Sequence, residues 1–246
     1  MLPEALTFLD IETTGSSLRK SKIVEIAAIR VENGKVVKEL NTLINPLCSI
    51  PPEIETFNGI TNELVEGKPT FEQISSEILD ILRDSCLVAH NVSFDYAFLK
   101  TEFKSIGTSF KCKHFCTVQL SRALYKRERH HNLDAVIERC GLVCEDRHRA
   151  YGDTLAIFEF FKHVVSEFGA EVIEETINKI SKSASRPSNL PSIQIENLPE
   201  TPGVYIFYGQ NELPIYVGKS KNIKNRILSH FYDANESNKD QNFFNK

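Results

Sequence analysis

The chain has 246 residues, 41% hydrophobic and 25% charged, with 11 Gly, 10 Pro and no Trp, which excludes collagen-like, low-complexity and wholly disordered classes and allows roughly one domain and a fraction. Its net charge of −4 argues against a polyanionic partner until the distribution is read: acids outnumber bases 15 to 8 over residues 1–99 and 10 to 4 over 132–178, while bases lead 8 to 2 over 100–131 and 9 to 6 over 179–246. An acidic body with two basic segments suits an enzyme that holds cations among carboxylates and grips phosphate elsewhere, and it equally describes uneven solvated faces.

In chain order, Ala5–Ile11 is a short apolar run, Ile23–Val31 is rich in β-branched residues, and Lys35–Ile44 follows Asn33-Gly34. Asn-Gly between two such runs predicts a hairpin, because both residues tolerate positive φ. Residues 50–70, with Pro51-Pro52, Gly59, Gly67 and Pro69, read as a loop with short helical pieces. From Thr70 the spacing Ile74, Ile78, Ile81, Leu82 predicts a helix. Cys86–Ala89 predicts a brief strand, and Phe94–Phe103, Leu133–Cys140 and Leu155–Val165 predict helices. Leading strands followed by strand–helix alternation define an α/β domain with a mixed central sheet, over residues 1–180. Residues 181–197, where Ser, Pro, Lys and Asn replace apolar residues, read as a linker. Gly203–Tyr208 and Pro214–Gly218 then predict two strands, Asn222–Phe231 a basic helix, and the tail from Asn235 no pattern. This second module, residues 198–246, is a small core by itself.

No apolar run reaches the ~18 residues of a membrane span, and Met1-Leu2-Pro3-Glu4-Ala5 lacks the basic start of a secretory signal. Six Cys, with Cys86 and Cys48 in or near apolar runs, read as buried thiols and not as a disulfide framework. The expectation is a cytoplasmic protein with no membrane contact. Cys112-x₃-Cys116 and Cys140-x₃-Cys144, with His114 nearby, invite a zinc site, but the spacing is loose and small buried thiols account for them as well.

Asp10 and Glu12 stand at i and i+2 of a strand end and so share one face. Such pairs often mark only where a chain leaves the core, yet Asp10 interrupts an apolar run where a core side chain is expected. Two close carboxylates repel unless a cation lies between them, and Mg²⁺ or Mn²⁺ suits hard oxygen ligands. His90-Asn91-Val92-Ser93-Phe94-Asp95 again sets an acid just past an apolar strand, where Asn91 and Ser93 are also candidate helix N-caps. In His148-Arg149-Ala150-Tyr151-Gly152-Asp153, five residues on one helix would place His148 and Asp153 about 140° apart. They meet only if His148 lies on the loop ahead of a helix beginning near Tyr151.

Asp10-x-Glu12, Asn91-x-x-Phe94-Asp95 and His148-x-Ala150-x-x-Asp153, in this order, resemble the three motifs of the DEDDh 3′→5′ exonucleases, the family that includes the epsilon subunit of DNA polymerase III. Asn58-Gly59-Ile60-Thr61 and His131-Asn132-Leu133-Asp134 are similar to its intervening landmarks, and Gly152 departs from it, since members often carry an acid there. The resemblance implies a ribonuclease H-like exonuclease fold over roughly residues 5–170. It also implies two Mg²⁺ or Mn²⁺ ions on Asp10, Glu12, Asp95 and Asp153, with His148 as general base, a task its near-neutral side chain suits. Thr13, Gly15 and Asn91 would lie against the terminal nucleotide. The expected activity is hydrolysis at DNA 3′ ends, releasing nucleoside 5′-monophosphates, in repair or proofreading, with a DNA polymerase or repair complex as partner. An RNA 3′ exonuclease of the ribonuclease T or oligoribonuclease kind and a non-catalytic nucleic-acid adaptor remain alternatives. The basic stretch Lys100 to Arg129 is read as contacting the phosphate backbone.

Leu198-Pro199-x-x-Pro202-Gly203-Val204-Tyr205, Ile215-Tyr216-Val217-Gly218-Lys219, Asn222 to Arg226 and His230-Phe231 resemble the front half of a GIY-YIG nuclease domain of the excision-repair endonuclease kind. The likeness implies an active centre of Tyr205, Tyr216 and Arg226 with Lys219 close by, and a metal-binding Glu well beyond Arg226, for which Glu236 falls too early. The expectation is a partial module that binds DNA or is inert, with exonuclease activity alone.

Overall fold

A computed structural model describes residues 3–182, 198–208, 214–224 and 226–227. The chain divides into two compact units, Met1–Lys182 and Ser183–Lys246.

In the first unit, β1 (Ala5–Thr13), β2 (Ile23–Glu32) and β3 (Lys35–Leu43) form an antiparallel meander. Its hairpin turns at Asn33 and Gly34, whose φ values of 50° and 76° are those the Asn-Gly pair supplies cheaply. After the short helices α1 (Pro52–Asn58) and α2 (Asn62–Val65), helix α3 (Phe71–Leu82) starts on a Thr70/Gln73 capping box and buries Ile74, Ile78, Ile81 and Leu82, the predicted stripe. Strand β4 (Cys86–Ala89), helix α4 (Val92–Ser105), strand β5 (Lys113–Cys116) and helices α5 (Thr117–Leu124), α6 (Leu133–Cys140), α7 (Ala150–Phe168) and α8 (Ala170–Lys182) complete the unit. The sheet order is β3-β2-β1-β4-β5, with β4 parallel to both β1 and β5. This is the mixed sheet flanked by helices expected from the sequence.

Alternation along β1 sorts the core. Leu9 and Ile11 pack on one face with Phe71, Ile78, Phe98 and Phe103 of α3 and α4, whereas Leu6 and Phe8 pack on the other with α6, α7 and α8. Phe8 meets the rings of Phe158 and Phe161 at 5.1 and 5.4 Å. Period two therefore puts Asp10 and Glu12, which follow Phe8 at even steps, on the α7 side. Their carboxylates stand at the carboxyl end of β1 beside the parallel strand β4, where the chain order of the sheet reverses, the usual place for a site in an open α/β sheet.

Several elements differ from the sequence reading. β5, α5 and α8 were not anticipated. α4 begins at Val92, two residues ahead of the expected Phe94. α7 begins at Ala150, next to the start near Tyr151 that the His148–Asp153 spacing requires but ahead of Leu155, where its apolar period starts, because Gly152, Asp153 and Thr154 carry no apolar side chain. Helix α8 runs through 181–182, into the span read as linker; residues 183–197 and the tail from Asn235 lie outside the described residues. Cys48 is exposed and not buried, since it follows Leu47 in a turn with positive φ at the surface. All six thiols are free, and the Cys pairs join no metal-type cluster among the described residues. No helix among the described residues is long and apolar enough to cross a membrane.

In the second unit β6 (Gly203–Tyr208) and β7 (Pro214–Ser220) pair antiparallel, and residues 223–224 and 226–227 are helical. Tyr205, Ile223 and Ile227 form its small buried cluster, with Leu198, Phe207 and Tyr216 against it.

Candidate active site

Three carboxylates converge: one oxygen each from Asp10, Glu12 and Asp153 lie within 4.8 Å of one another. Asp153 comes from the first turn of α7 and Asp95 from the first turn of α4. Both helix N-termini thus direct partial positive charge at acids there. Asp95, the fourth expected ligand, is buried and lies outside that trio, although its charge acts on Asp10. The backbone N–H of Ile11, the residue between Asp10 and Glu12, is among the groups that favour its charged form.

Enclosure dominates the electrostatics. Burial, then the charges of Asp95, Asp153 and Glu12, hold the Asp10 carboxyl well above the usual carboxylate range. Burial pushes Glu12 up to about 7, against a hydrogen bond from Asn58 Nδ2 at 3.1 Å, and pushes Asp95 up to about 8. Asp153 is raised by burial and drawn back by Arg147. Asp10, Glu12 and Asp153, clustered acids that resist ionising together and offer hard oxygens, are a donor set that fits a divalent cation of the Mg²⁺ or Mn²⁺ type.

His148 lies on the loop ahead of α7, as the spacing to Asp153 requires. Its φ of 62° is left-handed, a conformation costing a non-glycine residue about 1 kcal/mol, and its ring sits 4.5 Å from that of Phe57 at the end of α1. When protonated, its ring favours the charged forms of Asp153 and Asp134. Thr13 donates to the carbonyl of Gly15 at 2.8 Å, and a side chain at Gly15 would stand 2.9 Å from Ser21 Oγ. Asn91 occupies the N-cap of α4 with φ 78°, but its side chain makes no capping bond, and Ser93 lies inside the helix; neither serves as the expected cap.

Residues outside the expected set complete the surroundings. Asn58, a landmark only in the sequence reading, donates through Nδ2 to Glu12 while its side-chain Oδ1 accepts from Ile60 N–H. Glu25, 2% exposed, stands opposite Glu12 in the β1–β2 register. It receives Arg149 through Nη2 at 2.6 Å and the N–H of Ala150 at 2.9 Å, closing the start of α7. Glu25 interrupts the apolar run of β2 as Asp10 interrupts β1, so the same signal was present in the sequence. Arg147 bridges Asp134 and Asp153. Gly152, the departure from the family pattern, is packed: a Cβ there would stand 2.1 Å from the carbonyl oxygen of Asp146. The loop carrying Arg147 thus passes too close for the acid often found at that position.

The exposed residues Lys126, Arg127, Arg129 and His130 form a basic loop ahead of α6. The loop is tied to the end of β4 by His90 Nε2 and the carbonyl of His131 at 2.9 Å, and Arg139 donates to the carbonyl of His130 at 2.6 Å. In the second unit Tyr205 and Tyr216 have ring centroids 5.9 Å apart, Arg226 bonds to Tyr205, and Gly218 is pressed against the Tyr205 ring. Lys219 is exposed.

Residues 7–161 match the family described as Exonuclease, and residues 201–246 match the UvrC-like GIY-YIG domain. The chain is 32% identical over 190 residues to a PolC-type DNA polymerase III of Clostridium perfringens, covering 77% of this chain and 13% of that protein. It is 31% identical over 168 residues to the DNA polymerase III subunit epsilon of Aquifex aeolicus, covering 68% of this chain and 83% of the relative. A Mycobacterium tuberculosis chain described as a candidate bifunctional exonuclease/endonuclease is 28% identical over 234 residues, 91% of this chain and 36% of its own length. The chain thus spans only about a seventh of the PolC-type polymerases it matches. Among solved structures, exonuclease X in complex with 5′-overhanging duplex DNA superposes at TM-score 0.58 and 25% identity, over 72% of this chain and 99% of that one. Escherichia coli exonuclease I with a dA16 oligonucleotide superposes at 0.64 and 18%, over 70% and 42% respectively, which supports the fold alone.

Proposed function

The chain belongs to the exonuclease family, and from that membership we propose that its first unit is a metal-dependent 3′→5′ exonuclease of DNA, releasing nucleoside 5′-monophosphates in repair or proofreading. The observation that carries this reading is the carboxylate trio within 4.8 Å, contributed by residues up to 143 positions apart. Asp10, Glu12, Asp95 and Asp153 would hold two Mg²⁺ or Mn²⁺ ions. Bound there, such ions lower the pKa of an attacking water and neutralise charge on the leaving oxygen.

The remaining roles fall to the chain's own groups. His148 accepts the proton of the attacking water at a ring nitrogen, from a loop anchored on both sides by Arg147 and Arg149. Thr13, Gly15 and Asn91 lie against the terminal nucleotide, and the free side chain of Asn91 suits that task better than capping. Lys126, Arg127 and Arg129 contact backbone phosphates ahead of the terminus, a narrower set than the whole stretch from Lys100. DNA is favoured as substrate because the epsilon subunit belongs to a DNA polymerase and the exonuclease X complex holds duplex DNA. A polymerase or repair complex is the partner that such an activity serves, and the GIY-YIG-like unit, with Tyr205, Tyr216, Lys219 and Arg226, adds a repair association.

The test is a digest of end-labelled DNA and RNA oligonucleotides with Mg²⁺, Mn²⁺ or chelator, wild type beside Asp10→Ala. A 5′-labelled DNA strand should shorten stepwise with either metal and stay intact in chelator or with the variant. Cleavage that persists in chelator, that survives Asp10→Ala, or that acts on RNA alone overturns the reading.

A further inference from the structure

Arg147 is the cation hydrogen-bonded directly to the carboxylate group, and its two ends are held unequally. Nε donates to Asp134 Oδ1 at 2.7 Å, and Nη1 donates to Asp153 Oδ1. The Asp153 side chain is 10% exposed and that of Arg147 23%, whereas Asp134, at the start of α6, is 62% exposed. Solvent therefore screens the inner contact far less than the outer one. The same guanidinium charge reaches Asp10. Arg149, the other arginine beside His148, is hydrogen-bonded to Glu25 and acts on Glu12 through its charge, whereas Arg147 bonds to Asp153 itself.

We propose that Arg147 is a resident counter-ion of the carboxylate site, which holds Asp153 in the metal-free protein and competes with the ion for it. The inference rests on the reading of this site as a metal centre. A carboxylate oxygen that accepts a guanidinium hydrogen bond has that lone pair engaged, and a fixed positive charge in contact with it repels an arriving divalent cation. Loading then requires the Nη1 end to leave Asp153, while Asp134 keeps the side chain tethered through Nε. The exposed anchor sets how far the arginine travels, and the buried one sets what it competes for. Arg147 also spares the enclosed acids part of their mutual repulsion when no ion is present, so its role predicts opposite effects on stability and on affinity.

The experiment is a Mn²⁺ titration of the full chain, read by calorimetry and by the signal of free Mn²⁺, with wild type, R147Q, R147K and D10A. R147Q should bind Mn²⁺ roughly tenfold more tightly, the scale on which an adjacent arginine favours a charged carboxylate, and should melt at lower temperature than wild type in chelator. R147K keeps the charge and should stay near wild type in both readouts, which separates competition from lost packing. Unchanged or weaker Mn²⁺ binding by R147Q, beside a wild type that binds and a D10A variant that does not, overturns the counter-ion role alone. A wild type that binds no Mn²⁺ overturns the metal-centre reading and this inference with it.

Discussion

In chelator, the thermal stability of the protein should fall between pH 6.5 and 8, and Mn²⁺ should remove the fall. Burial holds Glu12 at about 7 and Asp95 at about 8, with Asp10 and Asp153 moved in the same direction, against ordinary values near 4 in an unfolded chain. The folded state therefore binds more protons than the unfolded one, so stability is full below about pH 4 and is lost as pH climbs through the folded values. His90 has the opposite sign. Burial between Thr117 and the carbonyl of His131 holds it at about 4, below the ordinary histidine value, so most of its gain is in place by about pH 6.5. His131, also lowered by burial, has the same sign, and above that point the acids outweigh the remainder of both. A carboxyl still protonated in the folded state costs about 1.4 kcal/mol per pH unit, which gives about 2 kcal/mol for Asp95 and about 1 for Glu12 across the window. On a domain of this size about 3 kcal/mol is roughly 6–12 °C in Tm. Divalent cations bind the deprotonated acids, so their stabilisation grows with pH over the same range. Calorimetric scans at half-unit steps, in chelator and in Mn²⁺, measure both. A Tm in chelator that is level or rises from pH 6.5 to 8 refutes the assignment of these acids as a mutually repelling, enclosed set.

Other perturbations separate the roles around the site. His148→Ala should lower kcat about 10²–10⁴-fold while leaving calorimetric Mn²⁺ affinity intact; an unchanged turnover removes it as general base. Glu25→Ala leaves the N–H of Ala150 and the Arg149 guanidinium without their acceptor, and should cost about 2 kcal/mol in denaturant unfolding, the Arg side being half-exposed. Apparent affinity for single-stranded DNA should fall steeply with salt, and K126A/R127A/R129A should reduce the log–log slope by about 2, at ~0.7 per phosphate contact. An unaltered slope places the phosphate path elsewhere on the surface.

Much of the fold was legible because it is local. The Asn33-Gly34 turn, the β-branched run of β2 and the Ile74/Ile78/Ile81/Leu82 stripe each carry their period within a dozen residues. What was missed lacks that signal. Strand β5 is four residues long with polar Lys113 and His114 at its start. The apolar period of α7 starts only at Leu155, past Asp153, since a first turn spent on a site forfeits the apolar spacing of a helix face.

Residue types, the order of the carboxylate segments, the two-residue step that puts Asp10 and Glu12 on one face, and the need for His148 to precede a helix were all legible along the chain. It took the folded chain to bring Asp153 to them, to set Asp95 against the backbone N–H of Ile11, and to supply Asn58, Glu25, Arg147 and Arg149 as the partners that hold the acids and the start of α7. The physical reason is that strand and helix periods constrain neighbours in sequence, whereas these pairings are between elements brought together by sheet order, where β1 and β4 run parallel and α7 packs across β1 and β2. No local pattern encodes a contact of that kind, because the energy that selects it comes from burying both faces of the sheet at once.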